Sequence, residues 1–365
     1  MDILKKELYM KKAIELAKTA IGHTSPNPLV GCVVVKNGNI IAKACHERYG
    51  EYHAERNALT RCKEDTNGAE LFVTLEPCCH YGKTPPCTEI IIEKGIKKVY
   101  VGSLDSNPLV AGKGVSILRE HGIQVETGIL EKECIEMNEI FYHYITNDTP
   151  FVVVKYAMTL DGKICSCTKD ARYVSNETSR KHVHFLRKKY KAILVGINTV
   201  EADNPMLNCR LDEDPVNPIR IIMDSHLKID MKSNIVKTAS ELPTIIACLP
   251  KSLGDKSEEL KKAGITIMPI SPDKNEHVDI YELMKKLHDM KIDSVLIEGG
   301  GEIIASALDA KIVNRVYAYV APKIIMGCAK SPVAGRGIEL MRDAIELKNT
   351  KIIDMNGDVL ITGVL

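Results

Sequence analysis

The chain has 365 residues, 45% hydrophobic and 27% charged, and its acidic and basic side chains balance to a formal net charge of +1. That length exceeds what one hydrophobic core usually organises, so two domains are expected; the near-zero charge offers no field for gathering a polyanion and counts against nucleic acid as a partner. No run approaches the roughly 18 apolar residues that would cross a bilayer, and Met1-Asp2-Ile3-Leu4-Lys5-Lys6-Glu7 is charged where a secretory signal would be apolar. Twelve Cys in such a chain fit a reducing cytoplasm, with no membrane partner.

Apolar residues Leu8, Ala13, Ile14, Leu16 and Ala17 predict a helix over residues 4–21, stopped by Gly22. Residues 30–36 and 39–44 read as strands joined by Asn37-Gly38, a pair that tolerates the positive φ of a tight hairpin. A helix over 53–61 puts His53 and Glu55 in its first turn, and a β-rich run over 71–75 ends at Glu76-Pro77. Helices over 88–94, 115–121 and 130–144 then alternate with strands over 98–102 and 124–127, the pattern of a sheet covered by helices. The turn-prone Ile145-Thr146-Asn147-Asp148-Thr149-Pro150 sets a boundary, giving domains 1–147 and 148–365. Beyond it, strands over 151–157, 192–196, 219–223, 244–248 and 294–297, with helices over 177–188, 251–262 and 278–290, predict a second α/β domain.

The chemistry concentrates in His53-Ala54-Glu55 and in Glu76-Pro77-Cys78-Cys79-His80-Tyr81-Gly82-Lys83-Thr84-Pro85-Pro86-Cys87. One His and two Cys leave a tetrahedral zinc a fourth position for water, as catalytic sites require. Such a metal lowers the pKa of its water from about 15.7 towards roughly 7, and Glu55, two residues from His53, is placed to carry protons. His-x-Glu followed by Pro-Cys is the pattern of zinc deaminases that attack an amino-bearing ring carbon. A closed structural site stays open as a reading, because Cys79 and His80 adjoin Cys78; Glu55 has no use in it. Cys32, Cys45, Cys62, Cys134, Cys209, Cys248 and Cys328 read as small buried hydrophobes.

The eight residues between Cys78 and Cys87, with their internal His80-Tyr81-Gly82-Lys83-Thr84-Pro85-Pro86, resemble the bifunctional riboflavin-biosynthesis deaminase/reductase family, as does Asn27-Pro28-Leu29-Val30-Gly31-Cys32-Val33. The second half resembles its reductase in Lys155-Tyr156-Ala157-Met158-Thr159-Leu160-Asp161-Gly162-Lys163, in the stretch from Val195 to Pro205, in Leu207-Asn208-Cys209-Arg210 and in Glu298-Gly299-Gly300-Gly301. The resemblance implies a cytidine-deaminase-like α/β/α domain followed by a dihydrofolate-reductase-like α/β domain, with zinc and NADPH as cofactors. It further implies deamination of a diaminopyrimidinone bearing a ribosyl 5′-phosphate, then reduction of the ribosyl group to ribityl, by a homo-oligomer.

By the same resemblance His53, Cys78 and Cys87 hold zinc, Glu55 moves protons, and Asn27, His46, His80, Lys83 and the turn Asp105-Ser106-Asn107-Pro108 line the deaminase substrate pocket. On the reductase side, Lys155, Arg187, Leu207, Arg210 and Glu298 match substrate positions. Ala157, Tyr173, Thr199, Asp203, Ser225, Gly299, Gly300 and Gly301 match NADPH positions. Guanidinium forks at Arg187 and Arg210 suit phosphate. The three glycines between a strand and a helix could bring amides to an anion or form only a tight turn. Ala171-Arg172-Tyr173 departs from the family's Ser-x-Trp, losing a hydroxyl and exchanging an indole for a smaller ring. Two readings compete: a cytidine or tRNA-adenosine deaminase joined to an unrelated domain, and a zinc-containing nucleotide sensor without catalysis.

Overall fold

In the computed structural model, which describes residues 1–107, 111–168 and 170–365, the chain divides into two compact units, Met1–Asn147 and Asp148–Leu365. The first begins where the Asp2 carboxylate accepts the Lys5 amide and caps helix α1, Ile3–Thr19. Then come β1 (Gly31–Lys36), β2 (Asn39–Cys45), α2 (Ala54–Arg61), β3 (Glu70–Leu75) and α3 (Cys87–Glu93). β4 (Lys98–Ser103), α4 (Lys113–Glu120), β5 (Gln124–Thr127), α5 (Glu131–Met137) and α6 (Glu139–Thr146) complete the unit. The expected hairpin forms, with Asn37 and Gly38 both at positive φ.

The sheet runs β2-β1-β3-β4-β5, with β1 antiparallel to both neighbours and the other pairs parallel. Alternation sends Val33, Val35, Phe72 and Tyr100 to one face, against Met10, Ala13 and Ile14 of α1. Cys32, Val34, Leu71, Val73, Val99 and Val101 face the other side, against α2, α3 and α4. Helix α1 lies so close to β1 that a Cβ on Gly31 would sit 1.9 Å from the Ala13 carbonyl oxygen. The single helix expected over 130–144 is two helices. At Asn138 the side chain leaves for tertiary partners, accepting the Leu29 amide at 2.8 Å and donating to the Leu29 carbonyl at 2.9 Å.

In the second unit follow β6 (Phe151–Thr159), α7 (Glu177–Lys189), β7 (Ala192–Gly196), α8 (Ile197–Asp203), β8 (Ile219–Met223) and α9 (Asn234–Lys237). β9 (Thr244–Cys248), α10 (Asp255–Lys262), β10 (Thr266–Pro269), α11 (Ile280–Asp289), β11 (Ser294–Gly299) and α12 (Gly301–Asp309) come next. β12 (Val313–Ala321), β13 (Lys348–Met355) and β14 (Asp358–Val364) close it. The sheet order is β10-β9-β8-β7-β11-β6-β12-β14-β13, parallel through β12 and antiparallel beyond. Strands β10, β12, β13 and β14 are additional to those expected from the sequence. Asn314 and Arg315 interrupt the apolar pattern of β12, and β13 is exposed along most of its length.

Arg220 of β8 is fully buried, and among the described residues it has no carboxylate partner. Its guanidinium donates instead to Thr238 and Thr244 hydroxyls and to the Met206, Ile235 and Leu242 carbonyls, which ties the chain before Leu207 to the sheet. Among the described residues no helix is long and apolar enough to cross a membrane.

Candidate active sites

His53 is the N-cap of α2, Cys78 follows the end of β3 and Cys87 opens α3, so three element ends converge. The Cys87 and Thr88 amides both donate to the Cys78 carbonyl, closing the long loop between the cysteines. His53 Nδ1 lies 3.4 Å from Cys78 Sγ and 3.7 Å from Cys87 Sγ. Tetrahedral zinc with these donors spaces its ligand atoms roughly 3.5 to 3.8 Å apart, so the three fit that ion. Cys79 and His80 are not part of this cluster. Hydrogen bonding with Cys87, and then His53, pulls the Cys78 thiol down to about 4, whereas Cys78 and burial push Cys87 up. Glu55 is buried, and among the described residues its Oε2 has no hydrogen-bond partner. Burial first, and the Cys78 charge second, raise its carboxyl to about 7.

A cavity of about 320 Å³ opens onto this cluster and is lined by Asn27, His46, His53, Glu55, Cys78, His80, Lys83, Asp105 and Asn107. Pro108 of the expected turn lies outside the described residues. Asn27 Nδ2 donates to His46 Nε2 at 3.1 Å, and His46 Nδ1 donates to the Tyr52 carbonyl at 3.1 Å, which fixes a neutral tautomer. Burial lowers the His46 pKa in the same sense. His80 Nδ1 is buried and has no hydrogen-bond partner among the described residues. Glu76, given no role by the sequence reading, is also buried; its carboxylate accepts the Asp105, Gly112 and Val115 amides and so anchors the Asp105 turn. Its position just before Pro77-Cys78 was the available signal.

The second unit holds a cavity of about 300 Å³ lined by Lys155, Ala157, Tyr173, Arg187, Arg210, Glu298, Gly299, Gly300 and Gly301. Arg187 turns a bidentate edge to Glu298, at 2.7 and 2.8 Å, and gives a third N–H to the Asn208 carbonyl. Its fork thus serves Glu298 before any phosphate. Burial alone would push Glu298 up, but Arg187, with Lys155 behind it, holds the carboxyl at about 2. Burial lowers Lys155. Thr199 lies beside the bare glycine turn, its hydroxyl 3.6 Å from where a Gly300 Cβ would be.

Leu207, Asp203 and Ser225 do not line this cavity. Leu207 packs in the core with Ile193, Val195 and Ile222; Asp203 is exposed at the end of α8; and the Ser225 hydroxyl accepts the Val278 amide. Arg180 and His184, not among the expected residues, line the same cavity as Arg187, four and three residues apart on one face of α7, and that spacing is the signal that marks them. Arg180 stacks 4.3 Å over the exposed Tyr173 ring, and Lys323 donates to the Tyr173 and Val174 carbonyls.

Residues 4–103 match the cytidine and deoxycytidylate deaminase zinc-binding region, and residues 150–361 match the RibD C-terminal domain. The chain is 47% identical over 354 residues to riboflavin biosynthesis protein RibD of Actinobacillus pleuropneumoniae, covering 97% of this chain and 93% of that protein. The chain belongs to the RibD family. It is also 40% identical over 353 residues to RibD of Aquifex aeolicus, covering 97% and 96% of the two. A Thermotoga maritima crystal structure, a diaminohydroxyphosphoribosylaminopyrimidine deaminase/5-amino-6-(5-phosphoribosylamino)uracil reductase, matches with a TM-score of 0.88 at 37% identity, covering 99% of this chain and 98% of that one. The protein is therefore a bifunctional enzyme of riboflavin biosynthesis, a zinc-binding deaminase domain followed by a reductase domain. The expected α/β class and domain types hold, and nothing favours the sensor or the deaminase with an unrelated partner.

Proposed function

We propose that the first domain, residues 1–147, hydrolytically deaminates 2,5-diamino-6-ribosylamino-4(3H)-pyrimidinone 5′-phosphate and that the second, residues 148–365, reduces the ribosyl group of the product with NADPH. The observation that carries the first step is the buried Glu55 carboxylate, one oxygen unpartnered among the described residues, beside three converging zinc-type donors. His53, Cys78 and Cys87 would hold the ion, whose chemistry when bound is to make water a nucleophile near neutral pH. Glu55 takes the proton of the attacking water and returns it to the leaving ammonia. Asn27 and His46, locked to each other, orient the ring; His80, Asp105 and Asn107 contact it; Lys83 meets the phosphate.

In the second domain Gly299 and Gly300, with Thr199, leave an uncluttered cradle for a phosphate of NADPH, which supplies the hydride, and Gly301, packed against Ala334 and Pro332, closes the turn beside it. Ala157 and Tyr173 flank that cofactor, and Asp203 and Ser225 meet it through the ends of α8 and β8. Lys155 and Glu298 face the sugar, Arg210 the substrate phosphate, and Leu207 contributes backbone. The enzyme works as a homo-oligomer in the cytoplasm, and the exposed outer edge of β13, with Ile352 and Ile353 uncovered, gives a second copy a surface to meet.

One assay tests both halves. The zinc-loaded protein should release ammonia from the diaminopyrimidinone phosphate and then oxidise NADPH only once deaminated product has formed. Glu55→Gln should cut ammonia release at least a hundredfold with zinc content unchanged. Retention of most of the rate by Glu55→Gln would refute the proton-carrier role.

A further inference from the structure

Lysines that meet carboxylates are common on this protein's surface, as in the pairs of Lys36 with Asp65 and Lys285 with Asp148. Lys83 is held differently. Its ammonium sits 4.0 Å over the Tyr49 ring centroid, and among the described residues it forms no ion pair. Tyr49, Gly50 and Lys83 all line the cavity that contains His53 and Glu55. Two backbone features fix the arrangement. The Tyr49 amide donates to the His23 carbonyl at 3.1 Å, which anchors the ring's segment. Gly50, at φ +87°, turns the chain so closely that a Cβ there would lie 3.7 Å from Lys83 Cδ and Nζ.

An aromatic face attracts a cation without neutralising it. A carboxylate partner would cancel the charge and occupy the donors, so an incoming anion would have to compete for both. The π face avoids that competition, and it removes part of the rotamer freedom that a lysine otherwise loses on binding. We infer that Tyr49 is a positioning residue for substrate specificity: it holds Lys83 unpaired at the mouth of the deaminase cavity, where the ammonium selects a ligand bearing a phosphate monoester. The inference rests on the deaminase reading given above.

The test compares the zinc-loaded wild type with Tyr49→Ala and Tyr49→Phe on the diaminopyrimidinone 5′-phosphate and on its dephosphorylated nucleoside. A cation on an aromatic face at a half-exposed site corresponds to a threefold to tenfold effect, roughly. Tyr49→Ala should therefore raise KM for the phosphorylated substrate about threefold to tenfold, with kcat within about twofold of wild type. Tyr49→Phe, which keeps the ring, should behave as wild type. On the nucleoside all three proteins should have the same KM. Equal losses on both substrates, a loss in kcat rather than KM, or no difference between Tyr49→Ala and wild type would each overturn the inference. A wild type that releases no ammonia would instead overturn the deaminase reading itself.

Discussion

The Arg187–Glu298 pair shows how one residue's chemistry depends on who holds it. Both side chains are largely buried, at 12% and 7% exposure, and the pairing is bidentate. Burying two charges costs as much as their attraction returns, so the pair is weak evidence for stability, but removing one partner leaves the other uncompensated. Arg187→Met should accordingly destabilise the second unit by about 3 kcal/mol, read as a lower denaturant midpoint at pH 7. The sign with pH follows from Glu298, whose carboxyl is held at about 2 rather than near 4.5. A depressed folded-state pKa gives stability that is fully present above about pH 4.5 and is lost as pH falls towards 2. Wild type should lose more stability than Arg187→Met across that interval. Parallel pH profiles would show that Arg187 does not set the ionisation of Glu298.

Elements were legible where their signals are local. Asn37-Gly38 marks its own hairpin, and the ends of α2, β3 and α3 carry the zinc-type donors within two short stretches of chain, so their convergence follows from motif spacing. The second cavity was not readable in this way, because Lys155, Arg187, Arg210 and Glu298 come from β6, α7, a loop and β11, which meet only through strand order. The break at Asn138 was invisible for a related reason: its cause is the distant backbone of Leu29. Close packing of α1 on β1 is likewise a tertiary fact written in one residue. At Gly31 any side chain would meet the Ala13 carbonyl oxygen and carbon, at 1.9 and 2.8 Å, and main-chain atoms cannot swing aside as a side chain can. Gly31→Val should cost the first unit about 3 kcal/mol or prevent its folding, and leave melting of the second unit in place. A first transition within one degree of wild type would mean that α1 can lift from the sheet freely.

At the scale of the whole molecule, each unit has its own apolar clusters on both sides of its own sheet, so each satisfies the condition for folding by itself. The zinc-type donors belong to the first unit alone. A ligand that binds only the folded form stabilises it by RT ln(1 + [L]/Kd), about 2.7 to 4.1 kcal/mol for free metal at a hundredfold to a thousandfold over Kd. For a unit of this size each kcal/mol moves the midpoint by roughly 2 to 4 °C. Calorimetry of the full chain should therefore resolve two transitions, and a chelator should lower only the one belonging to the deaminase domain, by roughly 5 to 16 °C. NADPH should do the reverse, raising only the other. The chelator is the sharper probe because its effect requires the three donors to bind as a set: Cys87→Ser should abolish most of the chelator shift while the transition assigned to the reductase domain stays where it was. A chelator that moves both transitions equally would mean that the two units melt as one cooperative body, and one that moves neither would mean that His53, Cys78 and Cys87 hold no ion.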